Sequence, residues 1–478
     1  MRLRRERGEW AWLLPRILVP FAAVLVEGFP SAVGAVAVQE CGLWLARRFG
    51  GKCNSTSVSR VFVAAYAIRA VFILPTHYVN KLANGNGALF QDDYTSDLVG
   101  EWLVRIGRGD GISIFPGHQY LLESVYPYVV MGIYSVLGFS PLVPKLLSGV
   151  IGALTAVLMY EIGRQAFGRR VGLMAAAGAA VIPTLVVFSS VTLKEPLVLF
   201  VAVLGLWTLQ QIILAPPDGP RLLDMLLLML GVVLLSLDLR STLSLILVGL
   251  TTVVVLARSR IRPHAWQLGL ASVALVVLVG GGLSVARSRI SDRPLSGVVE
   301  DVVLQIRHRR AQEAASARSQ IRPELDSVTA TGSALPQAEA ASDAEPFSLF
   351  GDIVEPLAFA ALAPAPWQAR SNLELGASAE MVLVWYPLLL ASVFARPTGP
   401  QTRLYIACLI GYALANWFVL AASEGNLGNL VRHRMMLAPV FLVLGCAGLE
   451  AIWERAGRPL PRHLRFAARV PVDMRTES

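Results

Sequence analysis

Long apolar runs, separated by short arginine-rich segments, dominate the chain between residues 61 and 453. A helix that crosses a lipid bilayer needs about 20 mostly apolar residues. Ten runs come near that length, so the pattern predicts an all-α polytopic membrane protein with roughly 10–12 transmembrane helices. The predicted spans are 61–80, 141–163, 172–190, 197–214, 222–237, 241–256, 267–285, 381–395, 403–422 and 435–453.

Two further apolar segments do not fit a simple crossing. Residues 17–45 contain Glu27 and Pro30 near their middle and are flanked by arginines at both ends. This pattern favours a hydrophobic hairpin or an interfacial helix over a single crossing. Tyr126–Gly138 is apolar but short, and it predicts a juxtamembrane or re-entrant helix.

Composition supports the same class of protein. Of the 478 residues, 55% are hydrophobic and 16% are charged, whereas soluble domains average about 45–50% apolar and about 25% charged residues. The mean hydropathy is +0.57. These values argue against a soluble enzyme, and they exclude a disordered chain and a disulfide scaffold.

The net charge of +9, from 42 Lys and Arg against 33 Asp and Glu, is explained by topology. Arginine concentrates in the short cytoplasmic loops of membrane proteins. Alternating the ten spans puts the arginines near 164–170, 258–262 and 396–403, and those after 454, on one side, which we take as cytoplasmic. We expect a multi-pass protein of the cell inner (cytoplasmic) membrane that binds no nucleic acid.

The same pattern predicts the organisation of the chain. The expected segments are a basic N-terminal segment with the hairpin or interfacial helix (1–60), a transmembrane core (61–287) with an outer loop (81–124), a second outer loop (288–379) with an amphipathic helix and a flexible linker, the C-terminal transmembrane helices (380–453) and a basic cytoplasmic tail (454–478).

Acidic residues follow two of the predicted spans on the outer side. Asp92, Asp93 and Asp97 lie within six residues of the first outer loop, and such carboxylates can act as a general base or hold a metal ion. Glu195 follows Lys194 in the next outer turn, and it is a candidate second catalytic carboxylate that would face the first group across an outward cavity. The alternatives are a solvated acidic loop for the first group and a charge that favours the positive end of the following helix for Glu195.

Basic residues occur where topology disfavours them. Arg240 lies in a tight outer turn, where Asp238 is an alternative partner for it. Arg432 and Arg434 lie in the last outer turn with no acidic residue beside them in sequence. Because a guanidinium matches the oxygens of a phosphate, a lipid phosphate is the expected partner of these two arginines. Anchoring to anionic head groups is the alternative. Arg69, inside the first span, needs a partner that the sequence does not identify.

Asp97 is also a candidate for substrate binding, and three further residues are weaker candidates for the same role. His118 precedes the short apolar segment, Tyr126 begins it, and Trp367 follows a Pro-Ala-Pro sequence ahead of a span. Tryptophan is common at membrane interfaces, so interfacial placement is the alternative for Trp367.

As an ensemble, these motifs resemble the GT-C superfamily of integral-membrane glycosyltransferases, which includes aminoarabinose transferases and protein O-mannosyltransferases. The resemblance rests on the Asp92-Asp93 pair after the first core span, on Tyr126-Pro127-Tyr128, on a small-residue span (144–163) ending in an arginine-rich turn, and on Glu195 after the next span. It implies a GT-C-like helical bundle over 61–287, with juxtamembrane helices in the first outer loop.

The resemblance also implies a reaction. A sugar would move from a polyprenyl phosphate, in contact with membrane lipids, to a lipid-linked or cell-envelope acceptor on the periplasmic or exterior side. Asp92 or Asp93 would act as general base, and Arg432 and Arg434, assisted by Lys194 or Arg240, would bind the carrier phosphate. Dependence on a divalent cation, Mg²⁺ or Mn²⁺, stays open.

Two alternatives remain. A surface-polysaccharide polymerase or ligase that uses a polyprenyl-pyrophosphate glycan would have a similar topology. A lipid or solute transporter without catalysis would show inverted repeats, which are not evident in the sequence. The chain also lacks a GxxxxGK[ST] motif for ATP binding.

Overall fold

The protein is an all-α polytopic membrane protein. The computed structural model describes residues 2–110, 124–216, 220–259, 354–369, 372–397, 399–424 and 427–457. Within these residues there is no β-strand. The helices are α1 (Arg2–Glu27), α2 (Phe29–Asn84), α3 (Gln91–Gly107), α4 (Tyr126–Leu137), α5 (Leu142–Phe167), α6 (Arg169–Val181), α7 (Pro183–Phe188), α8 (Glu195–Leu214), α9 (Pro220–Leu239), α10 (Ser241–Ser259), α11 (Glu355–Leu362), α12 (Asn372–Glu380), α13 (Tyr386–Ser392), α14 (Pro400–Ser423), α15 (Leu427–His433) and α16 (Ala438–Arg455).

Eight helical segments of the described part are long and apolar enough to cross a membrane. A shorter apolar helix, Ser241–Ala257, covers the predicted span 241–256. The predicted span 267–285, the amphipathic segment 298–318 and the linker 323–346 lie outside the described residues. The eight segments are Phe29–Gly51, Asn54–Asn84, Leu142–Phe167, Glu195–Leu214, Arg221–Leu239, Glu374–Ser392, Pro400–Ser423 and Leu427–Arg455.

The N-terminal region forms a helical hairpin that packs on the core. The chain turns at Gly28, which has a φ of 98°. As a result, the first half of α2 runs antiparallel to α1. Arg16 donates to Glu40 across this hairpin at 2.8 Å. A second turn at Gly51 returns the chain along α2, whose second half packs against α5. The hairpin therefore lies beside the core helix that leads to the first outer loop.

Helix α5 defines two polar ends of the bundle. Its 26 residues span about 39 Å. At its start lies Lys145, which contacts carboxylates of α3. Near its end, Glu161 pairs with Arg164 at 2.6 Å and accepts a hydrogen bond from Asn54. We name the end at Lys145 the site end and the end at Arg164 the arginine end.

The predicted span 172–190 is not one continuous helix. The chain breaks at Ile182, between α6 and α7, because Pro183 has no N–H to donate to the carbonyl four residues earlier. Arg69 of α2 supplies the missing donor: its Nη2 lies 2.9 Å from the carbonyl oxygen of Ala179, and its Nε donates to Ser189. The intramembrane arginine therefore stabilises a broken helix.

The other side of the same break is held by a carboxylate. Glu380 accepts hydrogen bonds from the backbone N–H of Thr184 at 2.9 Å and from its hydroxyl. Trp385 donates its indole N–H to the same carboxylate at 2.8 Å. Glu380 thus joins α7 to the C-terminal helices.

Close contact between α5 and α6 depends on two glycines. A Cβ at Gly172 would lie 2.5 Å from the carbonyl oxygen of Tyr160, and one at Gly163 would lie 2.9 Å from Gly172 Cα. In contrast, a Cβ at Gly231 in α9 would meet nothing within 4 Å.

We expect Gly172→Ala to lower the thermal midpoint of the detergent-solubilised protein by several degrees, because the two helix backbones must separate to admit the methyl group. Gly231→Ala is the matched control. It should leave the midpoint unchanged or raise it slightly, because alanine is the better helix former by about 1 kcal/mol. Equal midpoints for the two variants would contradict this account.

Candidate functional site

The candidate site is built first on Asp93, in the opening turn of α3. This side chain is 0% exposed. Its Oδ2 accepts the N–H of Leu89 at 2.9 Å, and its Oδ1 accepts the N–H of Thr192 at 2.7 Å. Lys145 lies 3.3 Å from the same carboxylate. Asp93 therefore ties the first outer loop to the turn before α8, with both of its oxygens engaged.

Asp97 lies one turn further along α3 and is also buried. Its Oδ1 accepts the hydroxyl of Tyr134 at 2.7 Å, and its Oδ2 lies 3.8 Å from Lys145 without a hydrogen-bond partner among the described residues. Burial, together with the charge of Asp93, raises the pKa of Asp97 to about 7, although Lys145 and the Tyr134 hydroxyl act in the opposite direction. Lys145 thus lies close to two carboxylates, and one of them, Asp97, has a pKa near neutrality.

Arg432 brings three elements together at the site end. Its Nη1 lies 3.0 Å from Asp92 Oδ2 on α3, and its Nε lies 3.2 Å from Glu195 Oε1 at the start of α8. The side chain of Asp92 is 66% exposed, whereas that of Glu195 is 6% exposed. The Nε contact lacks hydrogen-bond geometry, so Arg432 Nε has no hydrogen-bond partner in the described part of the chain, and neither has the other oxygen of Glu195, Oε2.

This arrangement corrects one sequence-based expectation and bears on another. Arg432 has no acidic neighbour in sequence, but two acids reach it from other helices. Arg240 does not pair with Asp238, because Asp238 accepts the N–H of Val125 at 2.7 Å. Arg240 instead lies 3.9 Å from Glu424.

Sequence reasoning missed a second acid–base pair beside this cluster. Glu424, at the end of α14, is hydrogen-bonded to His433, with Glu424 Oε1 and His433 Nδ1 2.6 Å apart. Burial raises the pKa of Glu424, but the hydrogen bond and charge of His433, together with the charge of Arg240 and a hydrogen bond from Ser423, hold the pKa below its usual value. The sequence does contain a signal for this pair, because an acid and a histidine flank the same outer turn.

Arg434 has different surroundings from Arg432. It is 7% exposed, and its Nη1 contacts the sulfur of Met381 at 2.8 Å. Its Nε and Nη2 have no hydrogen-bond partner within the described ranges. A small cleft lies against it, lined also by Thr184, Glu380 and Trp385. Arg434 therefore keeps two donors without partners at the edge of a small cleft.

The remaining predicted site residues have varied surroundings. Lys194 is exposed and forms no ion pair with any described residue. Tyr126 is buried, and its hydroxyl lies 3.4 Å from Ser148. Trp367 is 85% exposed in a short 3₁₀ segment, Pro366–Gln368. His118 lies outside the described residues.

The described residues were compared with the ligand set of a metal ion held by protein side chains alone. They contain no group of three or more His, Cys, Asp or Glu side chains placed to hold a metal ion. Asp93, the best-buried acid, already uses both oxygens on backbone N–H groups.

No protein-family model matches the chain, and no curated protein matches it. The site is therefore interpreted from its own geometry.

Asp97 predicts a pH dependence of stability. Its pKa is about 7 in the folded protein and about 3.8 when unperturbed, so the folded state holds a proton that the unfolded state loses. The contribution of this group to stability is therefore present below about pH 4 and is lost as the pH rises to about 7. Asp97→Asn should gain thermal stability relative to the unsubstituted protein over that range, whereas parallel midpoint curves would contradict the assignment.

A double-mutant cycle tests the Arg432 cluster. We expect the coupling of Arg432→Gln with Glu195→Gln to be about 0.5–3 kcal/mol, because both side chains are largely buried. The coupling with Asp92→Asn should be about 0.2–1 kcal/mol, because that carboxylate is mostly exposed. The measurement is the free energy of unfolding in detergent, and the reverse order would show that the cluster is held mainly by Asp92.

Proposed function

We propose that the protein is a membrane glycosyltransferase that moves a sugar from a polyprenyl-phosphate donor to a lipid-linked or cell-envelope acceptor. The observation that carries the proposal is the meeting of Asp92, Glu195 and Arg432 at one end of a membrane-spanning bundle. The three residues are distant in sequence, and each comes from a different element. Such a cluster at a membrane surface suits a lipid-linked substrate, whose tail stays in the bilayer.

Arg434 is the group proposed to bind the carrier phosphate. Two carboxylates already neutralise Arg432, which leaves that cluster unfavourable for an anion. The partnerless donors of Arg434 are the better match, because charge-assisted bonds to phosphate oxygens are among the stronger hydrogen bonds in proteins. Arg240 and the exposed Lys194 are more distant assistants in this proposal.

Asp92 is proposed as the general base. Unlike Asp93, it is exposed to an incoming acceptor. In the proposed step, the acceptor hydroxyl oxygen forms a bond to the anomeric carbon and its proton passes to Asp92. The bond from that carbon to the phosphate oxygen breaks, and the electron pair leaves with the polyprenyl phosphate. A base positioned in this way contributes about 10²–10⁴-fold to rate.

The proposed location is the cell inner membrane, with the site end facing the periplasm or exterior. Support comes from the arginines of the opposite end, including Arg164, Arg169 and Arg170, since arginine concentrates on the cytoplasmic side.

Turnover in nanodiscs tests the proposal. The protein is given short-chain polyprenyl-phosphate sugars, and release of the carrier is measured. We expect Asp92→Asn to lower kcat about 10²-fold or more and Arg434→Gln to raise KM for the donor. Asp110→Asn, an exposed acid at the end of the same loop helix, is the matched control and should keep full activity.

Other outcomes would redirect the proposal. Turnover only with pyrophosphate-linked glycans would indicate a polymerase or ligase. Movement of a lipid or solute across vesicles, without carrier release, would indicate a transporter. Full activity in both Asp92→Asn and Arg434→Gln would remove the site assignment.

A further inference from the structure

The N-terminal hairpin reaches the candidate site through a buried chain of polar contacts. It begins at Glu27, in the last turn of α1. One oxygen of this carboxylate lies 2.7 Å from His77 Nε2, and the other accepts hydrogen bonds from Ser140 and from the N–H of Leu142. The side chain of His77 is 1% exposed. A charged group of the hairpin is thus buried against two core helices.

The two ring nitrogens of His77 contact different segments of the chain. Its Nδ1 lies 3.1 Å from the carbonyl oxygen of Gly87, which can only accept a hydrogen bond. Its Nε2 lies 2.7 Å from Glu27 Oε1. Nδ1 therefore donates to Gly87, and the imidazole ring links Glu27 to the Gly87 carbonyl.

The carbonyl oxygen of Gly87 is the junction between this pair and the site. It accepts a second hydrogen bond, from Lys145 Nζ at 2.9 Å. Lys145 is the group that pairs with Asp93 and Asp97. The turn 85–90, which contains Gly87, also supplies the Leu89 N–H that Asp93 accepts. Moving Gly87 therefore moves both a donor to Asp93 and the lysine beside it.

Gly87 has no room for a side chain. Its φ is 70°, and a Cβ built there would overlap the imidazole of His77. Gly85, two residues earlier in the same turn, has a similar φ of 78° but would meet nothing within 4 Å. The difference between the two positions isolates contact with His77 from backbone strain.

We propose that Glu27 and His77 are positioning residues for the carboxylates of the site, acting through the Gly87 carbonyl and Lys145. This inference rests on the proposed function for its effect on turnover, but the contact chain itself can be tested without turnover. Under this proposal the N-terminal hairpin, through Glu27, helps to position the carboxylates of the site.

Substitutions of His77 separate positioning from simple packing. The amide nitrogen of His77→Asn can replace Nδ1 as the donor to Gly87, whereas the longer His77→Gln presents its donor toward Glu27. We expect His77→Gln to lower kcat about 10²-fold, which is the scale of a misplacement of about 1 Å, with KM for the donor within about threefold. His77→Asn should stay within about threefold of the unsubstituted kcat. The opposite order would overturn the proposal.

Glu40→Gln is the matched control for charge in the hairpin. It breaks the Arg16–Glu40 pair of the same hairpin but touches neither Gly87 nor His77. We expect it to leave kcat unchanged. A loss of kcat in Glu40→Gln equal to that in Glu27→Gln would show that the hairpin acts only by its stability.

The second readout is the titration of Asp97, followed by the carboxyl infrared band that Asp97→Asn removes. Because Lys145 acts on the pKa of Asp97, His77→Gln and Gly87→Ala should shift the titration midpoint, whereas His77→Asn and Gly85→Ala should not. An unchanged midpoint in both of the first two variants overturns the inference, whatever reaction the protein performs. A shifted midpoint in a protein that releases no carrier would instead overturn the proposed function and leave the linkage in place.

Discussion

Burial of charge inside an apolar helical bundle is the constraint on which this structure depends. An unpaired ion in such surroundings costs several kcal/mol even after relaxation. Lys145 meets this constraint by lying between Asp93 and Asp97, with the Gly87 carbonyl as a further acceptor. Because all three partners lie within residues 87–97, the charge can be satisfied only when the first outer loop has one particular arrangement over α5.

The same requirement explains how the two arginines of the last outer turn come to differ. Arg432 faces two acids and is compensated within the protein, so it fixes the relative positions of α3, α8 and α15. Arg434 shares a small cleft with Glu380, but no described carboxylate comes within ion-pair distance of its guanidinium. Two neighbouring arginines thus have separate physical roles: Arg432 joins three elements, and Arg434 keeps donors without partners beside the cleft.

The helices could be predicted from sequence because crossing a bilayer imposes a length and an apolar composition that are visible in the chain. Their polar contacts could not be predicted, because these join residues far apart in sequence. The pairing of Arg432 with Asp92 spans 340 positions, and no local pattern indicates it. Pro183 indicates a break in the helix from sequence alone. The bonds from Arg69 and Glu380 to the backbone at that break could not be predicted, because they depend on how three segments pack together. His433 and Glu424 were overlooked because each has an ordinary alternative at a helix end.

The buried pair of Glu27 and His77 has a consequence for biogenesis. Glu27 is synthesised 50 positions before the histidine that contacts it and 113 before Ser140, which donates to it. His77 is made with α2, but Ser140 and the Leu142 N–H, which complete the surroundings of this carboxylate, come only with the start of α5. The hairpin can therefore take up its final buried contacts only after the start of α5 has been synthesised.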